Sequence, residues 1–291
     1  MRSLLFVPGN SQRKLEKGFT SAADVVIVDL EDSVAAADKA AGRAIAAKFL
    51  AARDTATGPT VYVRVNDFST GLTDDDLAAL MPVRPEGIML PKCLSGADVT
   101  RLAAQLRVFE AENGIEDGAT CIVPLITETA AAVLAAHTYG PEPRLAGLTW
   151  GAEDLSAAVG ARTARDAGGA YTDLFRYART VTLLAASAAD VPAIDTVFPD
   201  FRAADAFRRE CEDAERDGFT AKMAIHPDQV SVINAVFTPS PEAVARSRAV
   251  VDAFAQAGNP GVVAIDGKMY DRPHLRLAER LLARAAAAGI A

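Results

Sequence analysis

Val25-Val26-Ile27-Val28-Asp29-Leu30 is apolar at every position but one. A strand with one face in water alternates apolar and polar side chains, whereas a continuous apolar run is typical of a strand buried on both faces. Such strands belong to parallel sheets that are covered by helices. The run therefore favours an α/β fold over an antiparallel sheet.

Seven further runs of this kind occur, and alanine-rich amphipathic stretches separate them. The predicted strands are Leu4 to Val7, Val25 to Leu30, Val61 to Val65, Gly87 to Leu90, Cys121 to Ile126, Leu145 to Trp150, Ala193 to Val197 and Lys222 to Ile225. Strands that alternate with helices imply one parallel sheet with right-handed crossovers. Eight such units in 291 residues favour a closed (β/α)₈ TIM barrel, which typically takes about 250 residues. An open doubly wound sheet is the alternative.

The pattern changes after Phe237, where Thr238-Pro239-Ser240-Pro241 interrupts it. A predicted helix from Glu242 to Ala257, a short apolar run and a final helix from Pro273 to Ala287 follow. We therefore predict two parts: the barrel at 1–237, and a C-terminal helical lid or oligomerisation segment at 238–291. This segment would close its own barrel or reach a neighbouring subunit.

The composition excludes several classes of function. A net charge of −8 and a sequence pI near 5.0 disfavour nucleic acid and anionic membranes as partners, because both attract cationic surfaces. The cysteines are far apart and form no CxxC pair, so a zinc site is not expected. No apolar run approaches the roughly 20 residues of a membrane helix, and the N-terminus does not resemble a signal peptide. These features predict a cytoplasmic protein.

Polar side chains follow nearly every predicted strand, at the end where the active sites of such barrels lie. In strand order they are Asn10, then Glu31 with Asp32, then Arg64 with Asn66, then Lys92, Glu128, Glu153 with Asp154, Asp195 and His226. A rim with both carboxylates and cations suits a divalent metal and an anionic substrate.

Glu128 and Asp154 are the predicted metal ligands. Mg²⁺ takes oxygen ligands and usually binds one or two carboxylates together with water or substrate oxygens. Two carboxylates leave positions open for a 2-hydroxy or 2-oxo acid, which Glu128 would help to bind. The alternative is that each residue begins the helix that follows it, and Glu153 competes with Asp154 for the role.

Arg64 follows a buried strand, where an unpaired guanidinium would be costly. It pairs with an acid such as Glu31, or it forks onto a substrate carboxylate. Glu31 would hold Arg64 or metal-bound water, with a rim salt bridge as the alternative. Lys92 is interpreted as a phosphate or carboxylate contact, or as a solvated side chain. Asn10 is assigned to substrate binding.

Motifs along the whole chain resemble the family that contains the citrate lyase beta subunit, malyl-CoA lyase and citramalyl-CoA lyase, among the metal-dependent aldolases. They are Leu5-Phe6-Val7-Pro8-Gly9-Asn10, Val28-Asp29-Leu30-Glu31-Asp32-Ser33-Val34, Val63-Arg64-Val65-Asn66, Met89-Leu90-Pro91-Lys92, Ile126-Thr127-Glu128-Thr129, Trp150-Gly151-Ala152-Glu153-Asp154-Leu155, Ile225-His226-Pro227 and Asp266-Gly267-Lys268-Met269-Tyr270-Asp271.

The resemblance implies a (β/α)₈ barrel, Mg²⁺ held by Glu128 and Asp154, and a substrate carboxylate bound by Arg64. It also implies that an acid of the C-terminal segment completes a neighbouring subunit's site. We place that acid at Asp271, with Asp266 as the rival. A homo-oligomer, a trimer or a multiple of it, is then expected.

The reaction that follows is a retro-Claisen cleavage of a citryl-, citramalyl- or malyl-thioester to a 2-oxo acid and an acetyl thioester. Asp271, Arg64 and Glu31 form the predicted catalytic set. The thioester partner is coenzyme A or an acyl carrier protein, the latter with citrate lyase companion subunits. The alternatives are an aldolase for 2-oxo acids without a thioester, and a non-catalytic subunit that binds acyl carriers.

Overall fold

The computed structural model describes residues 1–55 and 57–290, and it confirms all eight predicted barrel strands. Ala56, in the predicted barrel, and Ala291, at the end of the predicted C-terminal segment, lie outside the described residues. The strands are β1 Ser3–Pro8, β2 Val25–Asp29, β3 Thr60–Arg64, β4 Gly87–Leu90, β5 Cys121–Pro124, β6 Leu148–Thr149, β7 Ala193–Asp195 and β8 Ala221–Ala224.

The eight strands form one parallel sheet in the order β5-β4-β3-β2-β1-β8-β7-β6. The two edge strands approach each other through parallel bridges that pair Ile122 with Leu145 and Leu125 with Thr149. Ile126 also donates its N–H to the carbonyl of Thr149 over 2.9 Å. The sheet therefore curls into a nearly closed barrel, and the open doubly wound alternative is wrong.

Side chains alternate between the barrel interior and the outer helix layer, as the pleat of each strand requires. The buried interior cluster contains Leu4, Val25, Ile27, Tyr62, Met89, Val123, Leu125, Ile194, Ala221 and Met223. Counting two residues from an interior position gives the next inward side chain. Asp29 follows Ile27, Arg64 follows Tyr62 and Thr196 follows Ile194 in this way. This parity selects the side chains that reach the mouth of the barrel.

Eleven α-helices surround and follow the strands in the described residues. They are α1 Gln12–Phe19, α2 Lys39–Ala51, α3 Thr73–Leu80, α4 Gly96–Glu112, α5 Ala130–Leu134, α6 Ala152–Val159, α7 Asp173–Ala188, α8 Ala204–Asp217, α9 Pro227–Phe237, α10 Pro241–Gln256 and α11 Arg272–Ala287. Helix α6 was expected only as the alternative role of Asp154, because it is short and lies between Gly151 and Gly160. It matters because it begins at the mouth and carries Glu153 and Asp154. In the described part of the chain, no helix combines the length and the apolar character needed to span a membrane.

The C-terminal segment contains a hairpin as well as helices. Strands β9 Val262–Ile265 and β10 Lys268–Asp271 pair antiparallel through a turn at Asp266 and Gly267. Both turn residues have positive φ, 49° and 74°, as tight hairpin turns favour. Because the sequence pattern of β10 is short and polar, only β9 was expected from it.

Helix α11 contacts the barrel at the end opposite the mouth. Arg284 lies 3.4 Å from Glu215, and Arg280 lies 3.5 Å from Asp190. Glu215 is near the end of α8 and Asp190 precedes β7, so both acids stand where strands begin. The role of residues 238–291 as a separate lid or oligomerisation unit stays a prediction.

A charged cluster fixes the start of the first two strands. Arg2 donates to Asp24 from its backbone N–H, Nε and Nη2 over 2.6, 2.9 and 2.7 Å. Burial raises the pKa of Asp24, but the hydrogen bonds and charge of Arg2 lower it by more, so it lies below its usual value. A depressed carboxyl pKa adds stability above the unfolded pKa of about 3.9, and this stability is lost as pH falls through the folded pKa.

We therefore expect Asp24→Asn to lower the free energy of unfolding at pH 7 by on the order of 1 kcal/mol. The difference from the wild type should narrow as pH falls below about 4, because the wild-type carboxyl then becomes protonated. Urea denaturation across this pH range measures both quantities. A difference that stays constant down to pH 3 would show that the charge of Asp24 is not its source.

Candidate active site

A cavity of about 400 Å³ opens at the C-terminal ends of the strands. Arg64, Glu128 and Asp154, which were predicted from separate strand ends, all line it. Asp29 and Phe6 line it as well, and the Arg64 guanidinium carbon stands 4.8 Å from the centre of the Phe6 ring. The structure therefore brings the predicted cation and the predicted metal ligands into one space.

Arg64 is held by two acids, Asp29 and Glu31. Its Nε and Nη2 donate to the two carboxylate oxygens of Asp29, each over 2.7 Å, and its Nη1 forms an ion pair with Glu31 at 2.8 Å. A guanidinium carries five N–H donors, so donors on Nη1 and Nη2 remain for a substrate carboxylate. The two alternatives for Arg64, pairing with an acid and binding a carboxylate, are thus compatible.

Asp29 is a functional residue that our sequence reasoning missed. It is buried, and burial raises the pKa of its carboxyl, but hydrogen bonds and charge from Arg64 lower it by more. The backbone N–H groups of Glu31 and Ser33 also donate to it. It therefore stays an anion that orients Arg64. The sequence of β2 is apolar without alternation, so only the interior position of Ile27 in the structure shows that Asp29, two residues later, also points inward.

Lys92 acts through its backbone as well as its side chain. Its φ is 50°, a left-handed conformation that costs a residue with a side chain about 1–3 kcal/mol. In this conformation its N–H donates to Oε2 of Glu128, and its Nζ contacts Glu31 and lies 3.7 Å from Asp154. Burial lowers the pKa of Lys92, but these acids raise it by more, so it remains a cation.

Glu31 is a buried bridge between Arg64 and Lys92. Burial is the main reason that its pKa is raised, and the nearby charge of Asp32 adds to the effect. Its contacts fit the interpretation that it holds Arg64, and its ion pairs with Arg64 and Lys92 fit the alternative of a rim salt bridge as well. A catalytic role for Glu31 stays a prediction.

Glu128 is almost completely enclosed, with 2% of its surface exposed. Burial raises the pKa of its carboxyl to about 8, and the charges of Asp154 and Glu31 contribute, while the N–H of Lys92 partly offsets them. Several carboxylates therefore lie close together near two cations, Arg64 and Lys92. A divalent cation bound by Glu128 would favour the ionised form of its carboxyl group.

The donor set fits Mg²⁺ rather than a metal that needs many protein ligands. Among the described residues, no group of three or more His, Cys, Asp or Glu side chains could hold a metal ion. Mg²⁺ commonly binds through one or two carboxylates and completes its shell with water and substrate oxygens. Glu128 and Asp154 on one cavity meet that requirement. Glu153 is exposed, but it also lines the cavity. It therefore remains an alternative to Asp154 as the second metal ligand.

Asn10 and His226 are not brought to the metal ligands. Asn10 stands at the mouth end of β1 and packs towards Gly42 on α2, outside the lining of the cavity. Its predicted role in substrate binding stays a prediction. His226 caps α9, because its Nδ1 accepts the N–H of Asp228 over 3.3 Å.

Asp271 stands at the start of α11 and is not among the residues that line the cavity. Its Oδ1 is 2.6 Å from Nδ1 of His274, and the two residues form a capping box. The hydrogen bond with His274 is the main reason that the pKa of Asp271 is lowered. Within one chain, Asp271 is a helix cap, and its catalytic role at a neighbouring subunit's site stays a prediction.

Asp195 is a correction to the predicted rim, because it faces the helix layer and not the mouth. It is fully buried and pairs with the equally buried Lys222 over 2.8 Å. Its Oδ1 accepts the indole N–H of Trp150 over 2.8 Å. Lys222 also donates to Glu210 over 3.0 Å, and Glu210 binds Arg165 over 2.6 Å. Trp150 precedes α6 and Arg165 follows it, so this network anchors both ends of the helix that carries Asp154.

Comparison with known proteins finds relatives that match nearly the whole chain. The chain is 37% identical over 282 residues to a citrate lyase subunit beta-like protein of Mycobacterium tuberculosis, covering 97% of this chain and 94% of that protein. It is 34% identical over 290 residues to a (3S)-malyl-CoA thioesterase of Cereibacter sphaeroides, covering 98% and 95%.

A solved structure is similar over the whole length of the chain. It is CitE from Mycobacterium tuberculosis in complex with magnesium, acetoacetate and coenzyme A, with a TM-score of 0.77, 34% identity and coverage of 98% of both chains. The family model of HpcH/HpaI aldolase/citrate lyase matches residues 2–227. These matches confirm the resemblance that the motifs indicated, and the chain belongs to the HpcH/HpaI aldolase/citrate lyase family.

Proposed function

We propose that this protein is a Mg²⁺-dependent carbon–carbon lyase. It cleaves a citryl-, citramalyl- or malyl-thioester by a retro-Claisen reaction to a 2-oxo acid and an acetyl thioester. The observation that carries the proposal is the convergence of Arg64, Glu128 and Asp154 on one cavity. The magnesium, acetoacetate and coenzyme A of the similar CitE structure support the metal and the class of substrate.

Glu128 and Asp154 are the residues that would hold Mg²⁺. When bound there, Mg²⁺ supplies Lewis-acid chemistry, since it lowers the pKa of a coordinated hydroxyl and polarises a carbonyl oxygen. Lys92 contributes by fixing the Glu128 carboxylate through its backbone N–H. The ammonium of Lys92, close to Asp154 and Glu31, limits repulsion among the carboxylates when the substrate arrives.

Arg64 binds the substrate carboxylate through the donors that Asp29 leaves free. As the carbon–carbon bond breaks, its electron pair moves onto the carbon next to the thioester carbonyl and is delocalised onto the carbonyl oxygen as an enolate, and a fixed guanidinium in a partly dry cavity stabilises the developing charge. Asp29 and Glu31 keep the guanidinium in place, so little reorganisation is needed. Protonation of the thioester enolate then gives the acetyl thioester.

The proton of the substrate hydroxyl is removed by Asp271 of a neighbouring subunit in this proposal. The absence of Asp271 from the lining of its own cavity and the contact of α11 with the barrel base support an arrangement across two subunits. We expect Asp271→Asn and Arg64→Lys each to be nearly inactive. Oligomers reconstituted from a mixture of the two should regain activity, because some sites then receive both intact residues.

The mixture is measured against each variant alone after identical dissociation and reassociation. Activity that stays at the sum of the two variants would exclude a shared site. Unmixed Asp271→Glu, which retains a carboxylate, serves as the control for loss of the helix cap.

The reaction is tested with citryl, citramalyl and malyl thioesters of coenzyme A, with Mg²⁺ and with a chelator. A lyase releases a 2-oxo acid without free thiol, whereas a thioesterase releases free thiol. The second outcome is the other candidate function, which the malyl-CoA thioesterase relative favours. Turnover of 2-oxo acids alone would instead show an aldolase that uses no thioester. Absence of turnover with every substrate would contradict the lyase, the thioesterase and the aldolase alike.

Gly151 provides a specific prediction about the metal ligand. A Cβ there would lie 2.9 Å from Cγ and 3.3 Å from Oε1 of Glu128, which has little room to move in its buried position. The φ of Gly151 is −123°, so the backbone accepts alanine. We therefore expect Gly151→Ala to lower kcat/KM by on the order of 10² through misplacement of Glu128, and to weaken Mg²⁺ binding in calorimetric titration.

Gly140→Ala is the matched control, because a Cβ at Gly140 meets no described atom within 4 Å. It should leave both kcat/KM and Mg²⁺ affinity unchanged. If Gly151→Ala binds Mg²⁺ as the wild type does, the role assigned to Glu128 is wrong.

A further inference from the structure

The carboxylate of Asp271 is held by the ring of His274, three residues further along the chain. Nδ1 of His274 lies 2.6 Å from Oδ1 of Asp271 and 3.2 Å from the backbone nitrogen of the same residue. A hydrogen bond to an ionised carboxylate is stronger than one between neutral groups, so the ring hydrogen lies on Nδ1 and points at Oδ1. This bond fixes the carboxylate relative to the first turn of α11.

The ring that holds the carboxylate is itself restrained. Tyr270 packs edge-on against His274, with ring centroids 5.3 Å apart and planes inclined by 68°. Tyr270 in turn pairs with Val263 in the hairpin of β9 and β10. Pro273, in the first turn of α11, fixes its own φ and stiffens the backbone between the two partners. Strand β10 and helix α11 therefore hold Asp271 and His274 in one geometry.

Asp266, the rival acid of the C-terminal segment, lacks such support. It stands in the hairpin turn with a φ of 49°, and it is exposed. In the part of the chain that the structure describes, no hydrogen bond or ion pair holds its carboxylate. Proton abstraction requires a base at a fixed distance from the substrate oxygen. Asp271 is the acid of this segment that is ordered in advance for that task.

The pKa of Asp271 shows what kind of help His274 gives. The hydrogen bond from His274 lowers this pKa, which keeps the carboxylate ionised but makes it a weaker base. His274 therefore does not act by raising the basicity of Asp271, and what remains is orientation. A carboxylate accepts at about four lone-pair sites, and the Asp271 side chain is 37% exposed, so a neighbouring subunit can reach it.

We propose that His274 is a positioning residue that aims the carboxylate of Asp271 at the substrate hydroxyl in the neighbouring subunit. This inference rests on the proposed function and its shared site. In the step, the hydroxyl proton bonds to a carboxylate oxygen of Asp271, and the O–H electron pair forms the carbonyl of the 2-oxo acid. The electron pair of the carbon–carbon bond leaves on the thioester enolate. His274 takes no proton and keeps the accepting carboxylate in place.

Replacement of His274 tests the proposal by a split between kcat and KM. His274→Ala should lower kcat for thioester cleavage by on the order of 10² and leave KM and Mg²⁺ affinity unchanged. His274→Gln should recover most of the loss, since glutamine also serves in capping boxes and its amide N–H can donate to Oδ1. His137→Ala is the matched control at an exposed histidine, whose Nδ1 lies 3.3 Å from the carbonyl of Leu134. It should keep the wild-type kcat.

Mixing of subunits separates positioning of Asp271 from a general effect on the fold. His274→Ala reassociated with Arg64→Lys should regain activity, because barrels with an intact Arg64 then receive an intact C-terminal segment. His274→Ala reassociated with Asp271→Asn should regain none, because both subunits bring a defective segment. Within one chain, adding His274→Ala to Asp271→Asn should cost no further activity, because His274 acts through Asp271.

Wild-type kcat in His274→Ala would overturn the proposal, as would recovery in its mixture with Asp271→Asn. A further loss in the double variant would also overturn it, since His274 would then act without Asp271. If Arg64→Lys and Asp271→Asn do not complement each other, the shared site of the proposed function fails. The double variant still decides in that case whether His274 acts through Asp271.

Discussion

Replacing Arg64 with lysine is expected to lower kcat/KM for thioester cleavage by on the order of 10² to 10³, while the barrel stays folded. Lysine keeps the positive charge that Asp29 and Glu31 require, but it lacks the planar fork that grips Asp29 through two 2.7 Å hydrogen bonds. The ammonium would settle on the buried acids and leave no directed donor for the substrate. Steady-state kinetics and thermal unfolding of the same preparation measure both effects.

Arg53→Lys is the matched control. Arg53 forms a comparable pair with Glu86 at 3.0 Å, where β3 and β4 begin, far from the mouth. The Arg53→Lys variant should lose little activity.

The contacts also show why alanine is the less informative change at Arg64. Alanine would leave Asp29 as a buried, unpaired charge and would lower stability as well. Near-normal kcat/KM in Arg64→Lys would refute the proposed role.

Replacing Lys222 with methionine is expected to lower the free energy of unfolding by about 3–5 kcal/mol. Lys222 is fully buried and donates to Asp195, Glu210 and the carbonyl of Thr196 over 2.8, 3.0 and 2.8 Å. Methionine fills the volume but leaves the two acids without their shared cation. Urea denaturation monitored by circular dichroism measures the loss.

Lys14→Met is the control, because Lys14 is exposed on α1 and its replacement should change stability by no more than about 0.5 kcal/mol. Adding Asp195→Asn to Lys222→Met should recover part of the loss, since it removes one stranded charge. Equal stabilities for Lys222→Met and Lys14→Met would show that the network contributes nothing measurable.

The barrel was predictable because its signal is local. Runs such as Val25–Leu30 are buried on both faces. Burial on both faces requires apolar side chains at consecutive positions, which can be recognised in the sequence. The strands could therefore be placed within a few residues, and their number favoured closure. Helix α6 was expected only as the alternative role of Asp154, because eight residues between two glycines give too short a periodic pattern. Strand β10 escaped prediction because it is exposed and pairs only with its hairpin neighbour.

The chemistry of the mouth was partly predictable. We could choose Arg64, Glu128 and Asp154 as site residues because each follows a buried strand. A charged side chain there is costly unless it is paired or binds a ligand. The inward or outward direction of each strand-end residue could not be fixed without the interior cluster as a reference. Asp195 was therefore assigned to the rim, although it faces the helices, and Asp29 was passed over, although it holds Arg64.

The sequence by itself determined the alternation of strands and helices, and which charged residues stand at the strand ends, because burial pattern and order along the chain are local properties. Tertiary structure decided which of those residues share the cavity, through closure of the sheet and the pleat of each strand. It also gave Lys92 the left-handed backbone that aims its N–H at Glu128, and it left Asp271 out of the lining of the cavity. These are distances between residues far apart in the chain, and only packing of the whole barrel sets them.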